Sequence, residues 1–274
     1  MVDDCDVPFP RRNSLTRCIL GVSFFAGTLD EALEHARQGG LVLAPSGPGL
    51  ANDLPRDPAY ARALAAADLI LPDSGLMILW WNRFRPAGSE KLSRLSGLLF
   101  LKELIRRESK GTMRSSFWIM PDAEQDASNR CWLAEKAGID IDDADVYLAP
   151  LYNSSGPIID DVLLERVQER DPKVIVVNLG GGVQERLGHY LRDNLSHKPA
   201  ILCTGAAVAF LSGQQVRIPQ WADRIYLGWF LRCLANPARF IPRYWAARKL
   251  VGLLRRYGSG SPCPKEMSGA GEPV

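Results

Sequence analysis

VIVVNLGGGVQERLGHYLRDN, residues 174–194, holds the pattern on which the fold turns. Val174 to Val177 run apolar and β-branched without a polar break, as in a strand buried on both faces of a parallel sheet. Gly180, Gly181 and Gly182 interrupt the chain, and 184–194 reads as a helix. The same beat extends outward in both directions. Apolar runs at 18–25, 41–45 (LVLAP), 69–72 (LILP), 116–120 (SFWIM), 145–150 (DVYLAP) and 200–204 (AILCT) read as strands. Helical patterns fall at 28–38, 58–67, 76–84, 96–109, 122–137, 158–170 and 206–212. Thr28 with Glu31 forms a capping box, while Asp57-Pro58 and Asp122 with Gln125 are N-terminal caps. Strands separated by helix-sized segments predict an α/β fold: a Rossmann-like, mainly parallel sheet with helices on both faces.

After residue 206 the strand signal ends and a basic stretch begins. Residues 214–257 carry nine Lys/Arg against Asp223 alone, a net +8 in a chain whose total is +2. Trp221, Trp229 and Trp245 are interleaved with these charges. Cations beside amphipathic rings suit an anionic partner: a lipid headgroup layer, a phosphate or nucleic acid. The reading therefore divides the chain into a disordered tail (1–14), an α/β domain (15–213), a helical basic appendage (214–257) and a second disordered tail (258–274). Six scattered cysteines and three histidines offer no disulfide framework or metal-ligand spacing, and a reducing compartment follows. No apolar run approaches 18 residues. Arg11, Arg12 and Arg17 before CILGVSFFAG mimic a signal peptide, but Asp3, Asp4 and Asp6 spoil the basic region and no A-x-A cleavage site follows.

In open α/β sheets ligands bind beyond the carboxyl ends of the strands, and three such ends carry unusual residues. APSGPGLAND (44–53) is a Gly/Pro loop around Ser46 with exposed backbone N–H groups; it also reads as a surface turn. ADLILPDSG (67–75) sends Asp73 past a buried strand, with Ser74-Gly75 turning into the next helix. Asp73 there suits a base that takes a proton from a hydroxyl nucleophile, or an N-cap. In NLGGGVQERLG (178–188), Gly180 and Gly181 offer N–H groups to phosphate, and Gln184 and Glu185 are placed for sugar hydroxyls or a base, against a helix-capping alternative. The segment is neither G-x-G-x-x-G nor a P-loop. Asp140, Asp142, Asp143 and Asp145 mimic a D-x-D metal site but precede their strand, so they read as a solvated loop. His189 reads as a surface histidine, and no G-x-S-x-G elbow is present.

Together these residues resemble the WecG/TagA/CpsF family of bacterial glycosyltransferases (glycosyltransferase family 26) from about 20 to 245. LILPDSG is similar to its Pro-Asp-Gly turn, and Arg94-Leu95-Ser96-Gly97 to the start of R-v-x-G-x-D. LGGGVQE is similar to G-x-P-x-Q-E, and GAAVAFLSGQQVRIPQW with the following residues to G-A-x-x-D-F-x-x-G-x-x-x-R-A-P-x-W, E-W-x-x-R, P-x-R and R-Y. The family's Thr and Asn after the second strand, and its later Asp, Pro and Glu, are replaced at Ala44-Pro45-Ser46, Leu99, Gly182 and Gly228.

The resemblance implies inverting transfer of a hexose-type sugar from a UDP-sugar to a polyprenyl-diphosphate-linked saccharide in cell-surface polysaccharide or teichoic acid synthesis. Asp73 is the implied base. Donor and substrate contacts fall to Ser46, Ser74, Gly75, Arg94, Gly180, Gly181, Gln184 and Glu185, with Arg217, Arg224, Arg232 and Arg239 on the diphosphates and no metal or other cofactor. The resemblance makes 15–213 the catalytic domain and 214–257 a membrane-associating segment. It implies a peripheral enzyme on the inner, cytoplasmic face of an anionic membrane, with a homo-oligomer as a further option; nucleic acid is not expected, because no recognition fold accompanies the basic stretch. The replaced polar residues leave two alternatives: altered sugar preference, or a non-catalytic relative that binds lipid-linked saccharide or a partner enzyme. A nucleotide-cofactor oxidoreductase lacks its glycine fingerprint and ribose-binding acid.

Overall fold

The computed structural model describes residues 15–108, 111–205, 207–213 and 248–263. The chain opens with β1 (Thr16–Ile19) and β2 (Val22–Phe25), followed by α1 (Leu29–Arg37), β3 (Gly40–Leu43), α2 (Gly47–Asn52), α3 (Pro58–Ala66) and β4 (Leu69–Ile70). Next come α4 (Gly75–Phe84), α5 (Gly97–Glu108), β5 (Ser116–Met120), α6 (Ala123–Trp132) and β6 (Val146–Leu148). The sequence closes with α7 (Asp161–Arg170), β7 (Val174–Val177), α8 (Val183–Asn194), β8 (Ala200–Cys203), α9 (Ala207–Leu211) and α10 (Arg248–Tyr257). Strands β3 to β8 form one six-stranded sheet in the order β4-β3-β8-β7-β5-β6, parallel at every pairing. The α/β reading is therefore right, and the Rossmann-like sheet is fully parallel.

Alternation along the central strands builds two cores. Leu41, Leu43, Phe117, Ile119, Ile175, Val177, Ile201 and Cys203 face one side, against α2, α3, α4, α7, α8 and α10. Val42, Ala44, Trp118, Met120, Val174, Val176, Ala200 and Leu202 face the other, against α1, α5 and α9. Each fully buried Leu, Ile or Val side chain contributes roughly 1.5–3 kcal/mol of transfer free energy, which is why uninterrupted apolar runs mark these strands.

Two expectations need correction. The run 18–25 is not one strand of the main sheet: Leu20 (φ 55) and Gly21 (φ 74) fold it into a β1–β2 antiparallel hairpin that forms its own sheet. The tail expected from 258 onward begins as built structure, because Leu20 N donates to Gly258 O and Gly21 N to Ser259 O, each at 2.9 Å. A Cβ on Gly21 would meet Ser261 Cβ at 2.8 Å, so only glycine admits this contact. The 1–14 tail and most of the basic appendage, including Arg217, Arg224, Arg232 and Arg239, lie outside the described residues. Within the appendage, α10 is present and buries Leu250 and Leu254.

Candidate functional site

The carboxyl ends of β3, β4, β7 and β8 gather the candidate residues. After β4, Leu71 N donates to Leu43 O at 2.7 Å, carrying the chain one step further beside β3. Pro72 then turns it outward, and Ser74 caps α4 by accepting from Met77 N at 3.4 Å. The capping role therefore falls to Ser74 and not to Asp73. Arg94 approaches Asp73 from the loop before α5. Its Nε donates to the Asp73 carbonyl at 2.8 Å, and its Nη2 meets Asp73 Oδ1 at 3.3 Å. Leu95 N, donating to Pro72 O at 3.2 Å, fixes the two loops together. Both side chains are partly exposed, Asp73 at 27% and Arg94 at 20%.

The segment 44–53, expected as an open loop, contains α2, capped by Ser46 through Gly49 N. Its glycines mark close approaches. A Cβ on Gly47 would lie 3.0 Å from Ser74 Oγ, and one on Gly181 would lie 3.4 Å from Ser46 Oγ. The Ser46–Gly47 segment thus lies between the Asp73–Ser74–Gly75 turn, on its Gly47 side, and the glycine turn, on its Ser46 side. Gly180 and Gly181 are exposed, and among the described residues neither N–H meets an acceptor. This edge, at the amino end of the twelve-residue α8, is suited to receive an anion.

Gln184 and Glu185 are placed differently from the expectation. Both are buried. Glu185 accepts from Gly182 N at 2.7 Å and from Gln184 Nε2 at 3.2 Å, while Gln184 Oε1 accepts from Gly205 N at 2.6 Å. They brace the turn from beneath, tying it to the end of β8. Burial pushes the Glu185 carboxyl up to about 7, with Asp53 adding like-charge repulsion against the lowering effect of the donors. Tyr60 is also fully buried here, its hydroxyl without a hydrogen-bond partner among the described residues, and burial then Glu185 and Asp53 drive its pKa upward.

Arg186 carries no sequence expectation, yet it is the most connected side chain in this region. It donates to Gly182 O (2.8 Å), Gly156 O (2.6 Å) and Asn153 O (2.8 Å), and lies 3.5 Å from Asp57 Oδ2. Asp57 caps α3 through Ala59 N and also accepts from Gly156 N at 3.2 Å. One buried ion pair thereby fastens the 149–160 loop to the glycine turn. A cation in the first turn of a helix opposes the helix dipole, and that was the available signal.

Asn178 and Thr204 stand side by side at the ends of β7 and β8, following the Val176–Leu202 pairing. Asn178 Oδ1 and Thr204 Oγ1 are both buried, without a hydrogen-bond partner among the described residues. The decoys stay structural: Asp142 caps a 3₁₀ turn, Asp143 pairs with Arg130 at 2.6 Å, and Asp145 with Arg170 at 2.7 Å. His189 pairs with Asp193 one turn along α8, at 3.1 Å. A cavity of about 290 Å³ lined by Gly39, Lys173, His197 and Lys198 lies at the opposite, amino-terminal ends of β3, β7 and β8.

The profile of the Glycosyl transferase WecG/TagA/CpsF family matches residues 17–260. An N-acetylglucosaminyldiphosphoundecaprenol N-acetyl-beta-D-mannosaminyltransferase of Bacillus subtilis (strain 168) is 26% identical over 211 residues, covering 75% of this chain and 77% of its own. The protein of the same description from Bacillus spizizenii (strain ATCC 23059 / NRRL B-14472 / W23) is 25% identical over 214 residues, covering 76% and 78%. With a family match over residues 17–260, most of its length, and a parallel α/β sheet, the chain belongs to the WecG/TagA/CpsF family of glycosyl transferases.

Proposed function

We propose that this enzyme transfers a hexose-type sugar, of the N-acetylmannosamine kind, from a UDP-linked donor to a polyprenyl-diphosphate-linked saccharide with inversion at the anomeric carbon. The descriptions of the two Bacillus relatives support the acceptor class and the sugar class. The observation that carries the reading is the Asp73 carboxylate, held by Arg94 at the carboxyl edge of the sheet and joined through Ser74, Gly47 and Ser46 to the Gly180–Gly181 turn.

In this reading an acceptor hydroxyl gives its proton to Asp73 as its oxygen bonds to the anomeric carbon. The bond from that carbon to the donor phosphate breaks, and its electron pair leaves on the diphosphate. The Gly180 and Gly181 N–H groups and the α8 amino end face that developing charge, which is where preorganised donors have most effect. Arg217, Arg224, Arg232 and Arg239 are assigned to the diphosphates of donor or lipid, in place of a metal ion. Gln184 and Glu185 act by holding the turn in shape. Leu99, where the family pattern described above has an aspartate, is exposed at the start of α5 and sets a donor preference of this chain's own.

The test is release of UDP from a panel of UDP-sugars in the presence of a lipid-diphosphate acceptor mimic. Asp73→Asn is expected to lower turnover by about 10²–10⁴-fold, the usual worth of a positioned base, with unchanged folding. Near-wild-type turnover would remove Asp73 from that role.

A further inference from the structure

Surface connections are usually the mobile parts of a fold, but the 149–160 loop is tied down along its length. Ala149 N donates to Met120 O at 2.8 Å. The Tyr152 hydroxyl donates to Asp160, which also accepts from Tyr147 at 2.9 Å and caps α7. Arg186 holds the carbonyls of Asn153 and Gly156, and Asp57 holds Gly156 N. Between these anchors Asn153, Ser154 and Ser155 are all exposed. Burying a guanidinium carries a desolvation cost, and what it secures here is the position of three exposed polar side chains.

That turn stands against Gly182. One planar group, the Arg186 guanidinium, reaches Gly182 O, Gly156 O and Asn153 O together, so the 153–156 turn and the glycine turn lie side by side. Asp53 also borders Gly182. A Cβ on Gly182 (φ 91) would lie 3.1 Å from Asp53 Oδ2, so glycine leaves room for the carboxylate. Asp53 is half-buried at the end of α2, and its carbonyl accepts from Asp57 N at 2.7 Å. The residue that holds Gly156 is thus joined to Asp53 as well.

Helix α2 begins at Gly47, beside Ser74 and Gly181, and ends next to Asp53, beside Gly182. Passing outward from Asp73, the edge therefore presents first the Gly180 and Gly181 N–H groups, then Asp53 and the 153–155 turn. A nucleotide sugar has a matching order: anomeric carbon, diphosphate, ribose, base. A phosphate is repelled by the Asp53 carboxylate, whereas a vicinal diol donates to its two oxygens.

We propose that Asp53 and the Asn153–Ser155 turn form the subsite for the nucleoside of the donor. Asp53 accepts from the ribose hydroxyls, and the amide and hydroxyls of the turn meet the polar edge of the base. Arg186 is the positioning residue that sets the turn against Gly182. This subsite rests on the UDP-linked donor proposed above.

The experiment is isothermal titration calorimetry of the full chain with UDP, 2′,3′-dideoxy-UDP and inorganic pyrophosphate. Wild type is expected to bind UDP about 10–100-fold more tightly than the dideoxy analogue, the range of a hydrogen bond to a charged group, and more tightly than pyrophosphate. Asp53→Ala should bring UDP and the analogue to within about threefold of each other, with pyrophosphate bound as before or more tightly. Asn153→Ala/Ser154→Ala/Ser155→Ala, at exposed positions, should weaken UDP and the analogue alike by about tenfold and leave pyrophosphate unchanged. Arg186→Lys keeps a charge opposite Asp57 but loses the fork, so it should reproduce the pattern of the triple substitution. Equal loss for all three ligands would make Arg186 merely structural and overturn its positioning role. Far-UV circular dichroism checks folding, and the surface triple substitution carries the test if Arg186→Lys does not fold. Full preference for UDP over the analogue in Asp53→Ala overturns the subsite, as does wild-type UDP binding by the triple substitution. Wild type that binds pyrophosphate as tightly as UDP overturns the subsite and leaves the diphosphate turn standing. Wild type that binds neither refutes the donor reading, and the subsite with it.

Discussion

Arg94 grips Asp73 at two levels, the backbone carbonyl by Nε at 2.8 Å and the carboxylate by Nη2 at 3.3 Å. The planar guanidinium spans both acceptors from one rigid group, so the carboxylate inherits its direction from a loop 21 residues away. The same two loops share the Leu95–Pro72 bond, which makes the pair a consequence of backbone packing as much as of charge.

Arg94→Lys tests that geometry. Lysine keeps the charge but loses the fork, and misplacing a reacting group by about 1 Å costs on the order of 10²-fold. Turnover is expected to fall about 10–100-fold with an unchanged melting temperature. Wild-type kcat in steady-state assays of Arg94→Lys would show that charge alone suffices.

The pH dependence of stability should carry the mark of Glu185. Its carboxyl is raised from 4.5 to about 7 in the folded chain, so between those values the native state holds more protons than the unfolded one. The stability tied to this group is therefore fully present below about 4.5 and is lost as pH rises through about 7, on the order of 1.4 kcal/mol for each unit of separation. Glu185→Gln removes the titration while keeping an acceptor for Gly182 N. Urea midpoints measured from pH 5 to 8 should fall for wild type and flatten for the variant; equal slopes would contradict the assignment.

Arg186→Ala leaves the carbonyls of Gly182, Gly156 and Asn153 and the buried Asp57 carboxylate without their cation. Breaking a buried pair from one side costs about 3–5 kcal/mol. Denaturant unfolding should show a loss of that order, and hydrogen exchange should quicken in the 149–160 loop. A loss under about 1 kcal/mol would mean the pair is replaceable by water.

Gly188 lets α8 lie close on the sheet, where an added Cβ would stand 2.6 Å from Cys203 Sγ and 2.8 Å from Leu41 Cδ1. Gly188→Ala gains roughly 1 kcal/mol of helix propensity and incurs an overpacking cost of about 1–3 kcal/mol, so net destabilisation is expected. Combining it with Cys203→Ala should recover part of the loss in a double-mutant cycle. Strict additivity of the two changes would show that the contact is not the cause.

Much of the frame was legible in the chain itself. Runs such as Val174–Val177 and Leu41–Leu43 are apolar at every position because both sheet faces are covered, and that signal is local. Capping was equally readable: Thr28 with Glu31, Asp57 and Asp122 cap as their residue types require. The run 18–25 failed because apolar content cannot report a φ of 55° at Leu20. The glycine turn was placed correctly, but Gln184 and Glu185 were expected to reach a ligand and instead point under it, since the direction of a side chain after a turn depends on what covers it.

Residue order and hydrophobic period determined the α/β alternation and which strand ends carry Asp73, Ser46 and the glycines, because those are properties of a few neighbouring residues. Folding alone decided the rest. Strand order set β3 between β4 and β8 and so joined turns far apart in sequence. Packing buried Leu250 and Leu254 of α10 and Met77, Ile78 and Trp81 of α4, and left Leu79 and Phe84 exposed. Closure of loops over long separations brought Arg94 to Asp73 and Arg186 to the 149–160 loop. Such pairings depend on the summed burial of the whole core, and no local pattern contains that sum.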